Sequence, residues 1–404
     1  MTAALLAHVL AVDPLLDKVD GGVILIVILK TIVTFAVLLV SVLMVIWYER
    51  RLIAWMQSRV GPQEAGPFGL LQSLADGIKA FFKEAMHPDR ADPFVYRIAP
   101  YLAVVPAFLT FAIIPIGGSI RIFHHTTTLQ LADPPVGILW MLAMSGIAVY
   151  GVMLAGWASG SKYPLLGSVR ASAQVISYEA ALGLSVGSVI LVSGSLSTRD
   201  IVAQQATGGI GGFLPNWNVI QLAVVPFVIF IIAATAELNR PPFDLTEADS
   251  ELVAGYMTEY SAIGFAFFYL AEYMGLLNMC AVMITLFLGG PGGPWMPKTA
   301  VLRWLMPVVW FLLKELLLVS LYIWARASLP RLRYDQLMDL GWKVLIPLGL
   351  FWLLVIAAIK EGRWTYAVGA AAGGLVAVLL LARAMAVGRA RARIDEQAVE
   401  RGSV

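Results

Sequence analysis

The chain has 404 residues, of which 59% are hydrophobic and only 13% are charged, and its mean hydropathy is +0.81. So few charged side chains cannot cover a water-soluble globule of this size, so the composition excludes a soluble protein and predicts one embedded in lipid. The net charge is +2, and the basic residues lie between apolar segments and not on one soluble face, which argues against a nucleic-acid partner.

Apolar runs in chain order predict the fold. Segment 1–21 carries three aspartates ahead of the first long run, an order unlike that of a cleaved signal peptide, and we expect it to remain outside the membrane. A spanning helix needs roughly 20 apolar residues, and such runs recur at 22–47, 99–118, 138–158, 171–193, 219–236, 258–288, 302–324, 342–359 and 364–382. They predict an all-α, polytopic transmembrane helix bundle with eight helices over 22–359, then a ninth helix and a basic cytoplasmic tail over 360–404.

Two segments carry further expectations. The run 258–288 would be about 46 Å long as one straight helix, against a hydrocarbon core of roughly 30 Å, so it must tilt, kink near Gly264 or Gly275, or protrude. The glycine-rich segment from Leu196 to Asn218 predicts a flexible loop without chemistry.

The loop after the first span contains a second kind of helix. From Pro67 onward its apolar residues keep helical spacing, which predicts an amphipathic helix lying on the membrane surface; these residues are Leu70, Leu71, Leu74, Ile78, Phe81 and Phe82.

The basic residues of the loops predict the orientation. With the N-terminus outside, the inward connections hold fourteen of them: Arg50, Arg51, Arg59, Lys79, Lys83, Arg90, Arg97, Lys162, Arg170, Arg240, Arg326, Arg331, Arg333 and Lys343. The opposite side holds seven, namely Lys18, Arg121, Arg199, Lys298, Arg303, Lys360 and Arg363. The positive-inside rule therefore predicts a cytoplasmic first loop.

Residues that could hold a cofactor are scarce. The single cysteine, Cys280, cannot supply the four ligands of an iron–sulfur cluster, and the four histidines all fall outside the apolar runs, where they cannot grip a haem within the membrane. No glycine motif for phosphates is present. We therefore expect the chain to bind no redox metal, cofactor or nucleotide, so that a partner must deliver any electrons.

Ionisable residues inside apolar runs are costly, about 2.5–3.5 kcal/mol or more each, and are therefore functional candidates. Glu237 and Glu272 are equally compatible with side chains that reach the membrane surface from the end of a span. Lys314 and Glu315 form either a paired brace or part of a charged axis, and we favour the axis. The full set is Lys30, Glu179, Glu237, Glu259, Glu272, Lys314 and Glu315.

The third inward loop, residues 236–253, places five carboxylates against a single arginine on the side that should be positive. Its acidic residues alternate with apolar ones and are flanked by spans, which favours a buried role over a solvated acidic loop. They are Glu237, Asp244, Glu247, Asp249 and Glu251.

Four sequence blocks together resemble the H-type membrane subunit family of proton-translocating NADH:quinone oxidoreductase, respiratory complex I. The blocks are Glu49-Arg50-Arg51 through Lys83-Glu84, Ser161-Lys162-Tyr163 through Ser177-Tyr178-Glu179, Glu237-Leu238-Asn239-Arg240-Pro241-Pro242-Phe243-Asp244-Leu245 through Glu259-Tyr260, and Trp324-Ala325-Arg326 through Gln336-Leu337-Met338. The resemblance covers residues 22 to 358. Its usual members have eight spans, so the ninth run is a departure, for which we expect an anchoring or partner-binding role.

The resemblance implies a function as a membrane subunit of an enzyme, a translocase of the bacterial plasma (inner) membrane. Such a subunit closes the membrane side of the quinone chamber, while the iron–sulfur clusters and flavin belong to partner subunits of the membrane and peripheral arms. Quinone is then the substrate, and lipid surrounds the chain. The residues placed around quinone are Arg50, Gln57, Arg59, Asp76, Lys79, Phe243 and Asp244.

The resemblance also implies a proton path of carboxylates that couples quinone reduction to proton translocation. The matching residues are Glu179, Glu237, Glu247, Asp249 and Glu251, with Asp249 where glutamate is common. Burial and a nearby cation shift the proton affinity of a carboxylate in opposite directions, so small rearrangements can move a proton. Two alternatives stay open: a related subunit of a hydrogenase or other quinone reductase, and a stand-alone secondary transporter.

Overall fold

The computed structural model describes residues 21–122, 125–206, 209–210, 214–246, 252–293, 300–362 and 369. Its helices are, in chain order, α1 Gly21–Met56, α2 Gln72–Phe82, α3 Pro93–Phe111, α4 Gly137–Ala158, α5 Lys162–Ser193, α6 Thr198–Ala206, α7 Asn218–Gln221, α8 Val225–Glu237, α9 Ala262–Phe287, α10 Ala300–Ser328, α11 Tyr334–Leu340 and α12 Ile346–Lys360. Short 3₁₀ turns occur at Pro67–Gly69 and Gly255–Met257, and a π-helical turn, Gly341–Leu345, joins α11 to α12.

Two small antiparallel ribbons complete the described chain. β1 Ser119–Ile122 pairs with β2 His125–Thr128, with Ser119 opposite Thr128. β3 Gly209–Ile210 pairs with β4 Leu214–Pro215. Lys30 Nζ of α1 donates to Thr127 Oγ1 of β2 at 3.0 Å, so the lysine predicted as an ionisable candidate ties α1 to the first ribbon.

Seven helices of the described chain are long and apolar enough to cross a membrane. They are α1, α3, α4, α5, α9, the Trp304–Ser328 part of α10, and the continuous Tyr334–Lys360 stretch. The all-α, polytopic fold is thereby confirmed. The predicted ninth helix lies outside the described residues except for Gly369, and the division into 1–21, 22–359 and 360–404 stays a prediction.

The predicted span 219–236 is shorter in the structure. α8 has 13 residues, about 20 Å, and a break separates it from α7 because Ala223 and Val224 adopt positive φ angles of 52° and 67° and Pro226 follows. Phe230, Ala233 and Ala234 of α8 are fully buried. This short helix is therefore enclosed by its neighbours, among which it packs most extensively on α5.

The two further expectations also need correction. α9 begins at Ala262, four residues later than the predicted run, and continues without a break through Gly264 and Gly275, so the excess length is removed at its start. The predicted loop 196–218 contains α6. Its start was readable, because the Ser197 hydroxyl accepts the backbone N–H of Asp200 at 3.3 Å, as an N-cap serine does.

Lys314 belongs neither to a brace with Glu315 nor to an axis of carboxylates among the described residues. Its ammonium donates to the carbonyls of Leu288 at 2.6 Å and Gly290 at 2.8 Å, just beyond the C-terminus of α9, and lies 4.7 Å from the Trp217 ring centre. A cation satisfies the unpaired carbonyls at a helix C-terminus and complements its dipole. Lys314 thus caps α9.

The amphipathic helix is present as α2. Its apolar side chains Leu74, Ile78, Phe81 and Phe82 are 46%, 51%, 70% and 88% exposed, so this face is open to lipid or to a partner. The turn before α2 is fixed by Trp47, whose Nε1 donates to the Phe68 carbonyl at 3.0 Å.

Helix α4 packs closely on both α3 and α5 because glycines lie at the contacts. A Cβ at Gly151 would lie 2.8 Å from Ala103 N, and one at Gly156 would lie 2.2 Å from Ser168 Oγ. By contrast, a Cβ at Gly183 of α5 would meet nothing within 4 Å. Gly156 is therefore required for packing, whereas Gly183 is not.

We expect Gly156→Ala to destabilise the chain by roughly 1–3 kcal/mol, because overpacking must push α4 and α5 apart. The matched control, Gly183→Ala, should be neutral or stabilising by up to about 1 kcal/mol, since alanine is the better helix former. Thermal unfolding of the purified chain in detergent measures both variants. Equal unfolding temperatures for the two would contradict the assigned α4–α5 contact.

Candidate functional site

A buried cluster of four charged side chains joins three spanning helices to the acidic loop. Arg240 lies in that loop; its Nη1 donates to Glu49 Oε2 of α1 at 3.1 Å, and its Nε donates to Glu272 Oε1 of α9 at 3.1 Å. Arg326 of α10 pairs with the other oxygen of Glu49. The side chains of Arg240 and Glu49 are 2% and 4% exposed. We refer to these four residues as the ion cluster.

The ion cluster contains two cations and two anions, so each buried charge has a partner. The ring of Tyr273 adds a cation–π contact, with its centre 4.5 Å from the Arg240 guanidinium carbon. Burial alone would lower the pKa of Arg240, but the Glu49 and Glu272 carboxylates outweigh it and hold that pKa above its ordinary value. Arg240 therefore stays protonated.

The local sequence turns Arg240 into the bundle. Asn239, with a φ of 52°, ends α8 in the left-handed conformation that asparagine tolerates. Gln174 of α5 then fixes the turn, because its amide donates to the carbonyls of Ala236 at 2.6 Å and Phe243 at 2.8 Å. The start of the acidic loop is therefore held against α5.

Sequence reasoning missed most of this cluster. It assigned Arg240 and Arg326 to positively charged loops and treated Glu49 only as part of a basic motif. A signal existed for Glu49, which continues the buried stripe Leu38, Val42 and Ile46 at helical spacing. A carboxylate on the inward stripe of a spanning helix needs a buried cation, and an inward arginine was the available partner.

Two predicted path carboxylates meet at helix α4. Glu237, at the end of α8, accepts a hydrogen bond from Ser145 Oγ. Glu179 of α5 is half-buried, and its Oε1 lies 3.8 Å from the position that a Cβ on Gly146 would occupy. Since Ser145 and Gly146 are consecutive, α4 holds the two carboxylates near each other, where their charges repel.

A cavity of about 150 Å³ connects Glu237 to the ion cluster. Apolar side chains form most of its wall, and the polar residues along it include Ser145, Glu237, Asn239, Thr246, Glu272 and Asn278. A water molecule needs roughly 10–15 Å³ of such space, so on the order of ten waters fit by volume. Glu272 faces this cavity and also binds Arg240, so one carboxylate belongs to both structures.

The remaining path residues, Glu247, Asp249 and Glu251, lie outside the described residues. Thr246, which immediately precedes them, lines the cavity and is 1% exposed. Their roles stay predictions.

The residues predicted around quinone fall into two groups. Arg50 Nη1 donates to Asp76 Oδ2 of α2 at 2.8 Å, and both side chains are 42% exposed. Gln72 Nε2 also donates to Asp76 Oδ1 at 3.0 Å, which orients the carboxylate. Three further members of this first group are exposed beside the ends of α1 and α2, namely Gln57, Arg59 and Lys79.

The second group is Phe243 and Asp244, both buried on the acidic loop. The Phe243 ring centre lies 5.5 Å from that of Tyr178, and Asp244 Oδ2 accepts from Arg331 Nη2 at 2.9 Å. These contacts attach the loop to α5 and to the segment after α10. The structure does not bring either residue into contact with the Arg50–Asp76 pair among the contacts of the described chain.

Comparisons with known proteins decide the family. A family model described as NADH dehydrogenase matches residues 29–357. The chain belongs to this NADH dehydrogenase family. The match spans most of the chain and contains the ion cluster, the cavity and both groups of predicted quinone residues.

Curated relatives of this family member share one name, that of the H-type subunit of NADH-quinone oxidoreductase. The protein from Frankia alni is 46% identical over 410 residues, covering 99% of this chain and 88% of its own length. That from Streptomyces avermitilis is 47% identical over 366 residues, covering 88% and 78%. That from Frankia casuarinae is 46% identical over 398 residues, covering 96% and 86%. The resemblance indicated by the four sequence blocks is confirmed.

We expect Glu49→Gln to destabilise this family member by roughly 3–5 kcal/mol, because Arg240 and Arg326 would each lose a charged partner in a buried site. The control is Asp339→Asn, which breaks the exposed Asp339–Lys343 pair, 53% and 50% exposed, and should cost at most about 1 kcal/mol. Thermal unfolding in detergent compares the two. If Glu49→Gln were no more harmful than Asp339→Asn, the ion cluster would have no structural role.

Proposed function

We propose that this chain is the membrane subunit of respiratory complex I that forms the membrane side of the quinone chamber and couples quinone reduction to proton translocation. One observation carries the proposal: the exposed Arg50–Asp76 pair, the ion cluster and the cavity of Glu237 follow one another without a gap in polar contacts or chain connectivity. Arg50 neighbours Glu49 in α1, Glu49 binds Arg240, Arg240 binds Glu272, and Glu272 faces the cavity.

The quinone end of this series is the exposed pair. A long isoprenoid quinone needs an apolar access route with a few polar groups at its inner end. The open face of α2 supplies exposed leucine, isoleucine and phenylalanine side chains beside Asp76. Arg50, Gln57, Arg59, Asp76 and Lys79 then surround the head-group end, and Phe243 and Asp244 hold the acidic loop that closes it.

The proton end is the cavity. Water in a cavity lined by Glu237 and Glu272 would connect their carboxylates by hydrogen bonds. Glu179 lies beside Glu237, and Glu247, Asp249 and Glu251 extend the same loop. A change of charge at the quinone alters the Arg50–Asp76 pair, and the adjoining ion cluster transmits it to Glu272.

The remaining roles follow from the relatives' names and the described side chains. Other complex I subunits would supply the flavin and iron–sulfur clusters, because this chain is expected to hold no cofactor of its own. The complex would act as a translocase in the bacterial plasma membrane, with the N-terminus outside and the tail after a ninth helix in the cytoplasm. The side that carries the ion cluster would face the cytoplasm.

The quinone role predicts a selective kinetic defect. In assembled complex, Arg50→Gln and Asp76→Asn should each lower the rate of quinone reduction by about fivefold to tenfold, or roughly 1–1.4 kcal/mol. Electron transfer from NADH to a soluble artificial acceptor should be unchanged, because that acceptor bypasses the membrane site. Lys343→Gln, which removes a half-exposed charge elsewhere, is the control. Normal quinone kinetics in an assembled variant would remove its residue from the site, whereas failed assembly would assign it to subunit docking.

The proton role predicts a joint defect. Glu237→Gln and Glu179→Gln keep the side-chain shape but cannot ionise, so quinone-linked turnover and proton translocation should fall together by about tenfold or more. Both are measured in sealed vesicles, with Glu361→Gln, an exposed carboxylate beyond α12, as the control. Full rate and full proton stoichiometry in either path variant would exclude that residue from the path.

A further inference from the structure

A groove on the surface of α1 is separate from the Arg50–Asp76 pair. Its volume is about 370 Å³, within the range of ligand-binding pockets. It lies between the last turns of α1 and the turn before α2, and it is lined by Trp47, Tyr48, Arg51, Leu52, Trp55, Phe68 and Leu70. Trp47, Arg51 and Trp55 are four residues apart and so share one face of α1. That face points away from the buried stripe that contains Glu49.

Arg51 lies among aromatic rings. Its guanidinium carbon is 5.5 Å from the Trp47 ring centre, 5.7 Å from that of Trp55 and 5.3 Å from that of Phe68. Such contacts hold a cation where its charge is only partly hydrated. Arg51 also makes one long hydrogen bond, 3.4 Å from Nη1 to the Phe68 carbonyl. The aromatic rings thus orient the guanidinium without neutralising it.

The charge of Arg51 distinguishes it from its neighbours. Arg50 pairs with Asp76, and Arg240 and Arg326 pair with Glu49. In the part of the chain that the structure describes, no carboxylate forms an ion pair with Arg51. A guanidinium has five N–H donors in a planar fork that matches phosphate oxygens. Most of these donors are available to an anion.

The groove is preformed. The Phe68 carbonyl accepts from both Trp47 and Arg51, and this fixes Phe68 with a positive φ of 57°. Trp55 and Phe68 remain 64% and 70% exposed, so their rings present apolar surface outward. Tryptophan and arginine at the end of a spanning helix lie at the level of lipid head groups. The groove therefore offers an apolar channel with one unpaired cation above it.

We propose that this groove binds a single phospholipid with an anionic head group, whose phosphate pairs with Arg51 and whose acyl chain lies along Trp47, Leu52 and Leu70. The unpaired cation favours this occupant over a neutral quinone, which offers no negative charge. It also favours a lipid over an apolar helix of a partner subunit, which would leave the guanidinium unpaired. The site requires only that α1 spans the membrane and does not depend on the quinone role.

Photo-crosslinking tests the site in the assembled complex. The complex is placed in phosphatidylcholine vesicles with a photoactivatable phosphatidylglycerol, and the labelled peptides are identified by mass spectrometry. We expect labelling of the peptides that contain residues 47–55 and 68–70, with competition by excess phosphatidylglycerol but not by excess phosphatidylcholine. Arg51→Gln should lower this labelling by about fivefold, as loss of one basic contact near a membrane surface implies. Arg97→Gln removes an exposed arginine at the start of α3 and should not change it.

Each other outcome overturns the proposal. Equal labelling by a photoactivatable phosphatidylcholine would show ordinary surrounding lipid. Competition by a long-chain quinone would assign the groove to quinone access, and crosslinks from this peptide to another subunit would assign it to assembly. If Arg51→Gln does not assemble, Trp55→Leu and the competition arms in the unaltered complex decide the question. Quinone turnover, measured in the same vesicles, reports separately on the proposed function.

Discussion

The double salt bridge of Arg240 is the constraint on which the arrangement of the site depends. One guanidinium holds Glu49 of α1 and Glu272 of α9, and Glu49 in turn holds Arg326 of α10. Buried charges are costly unless each has a partner, so the three helices and the acidic loop must meet with little freedom. The glycine contacts of α4 and the Gln174 amide then determine where the loop can lie around that point.

This constraint explains why a loop can lie inside a membrane bundle. Irregular backbone at membrane depth is tolerated only where protein or a polar cavity satisfies it. Here Gln174 satisfies the carbonyls of Ala236 and Phe243, Arg331 satisfies Asp244, and the cavity receives Asn239 and Thr246. The short helix α8 has the same origin, since it ends where the loop must turn Arg240 toward α1 and α9.

Sequence patterns predicted the fold class because a membrane span needs little more than length and hydropathy. They failed where a three-dimensional contact overrides local composition. The break before α8 depends on Pro226 and two left-handed residues, and Lys314 caps α9 because the chain folds the end of that helix onto α10. For the site, single ionisable residues such as Glu237 and Glu272 were readable from their cost in lipid. Their partners were not, because Glu49 and Arg240 are 191 residues apart and Glu49 and Arg326 are 277 apart.

Electrostatics gives the shared carboxylate its value for coupling. With Glu272 ionised, the ion cluster has no net charge, because two guanidinium groups face two carboxylates. A proton that reaches Glu272 from the cavity would leave the cluster with one excess positive charge in a poorly hydrated site. The attraction between Arg240 and Glu49 would then have to compensate for the lost partner, and Glu49 already shares its charge with Arg326. The response must therefore extend along α1, where the next residue, Arg50, holds Asp76 at the surface. A charge added at either end alters the cost of a charge at the other, which is the energetic meaning of coupling between two sites.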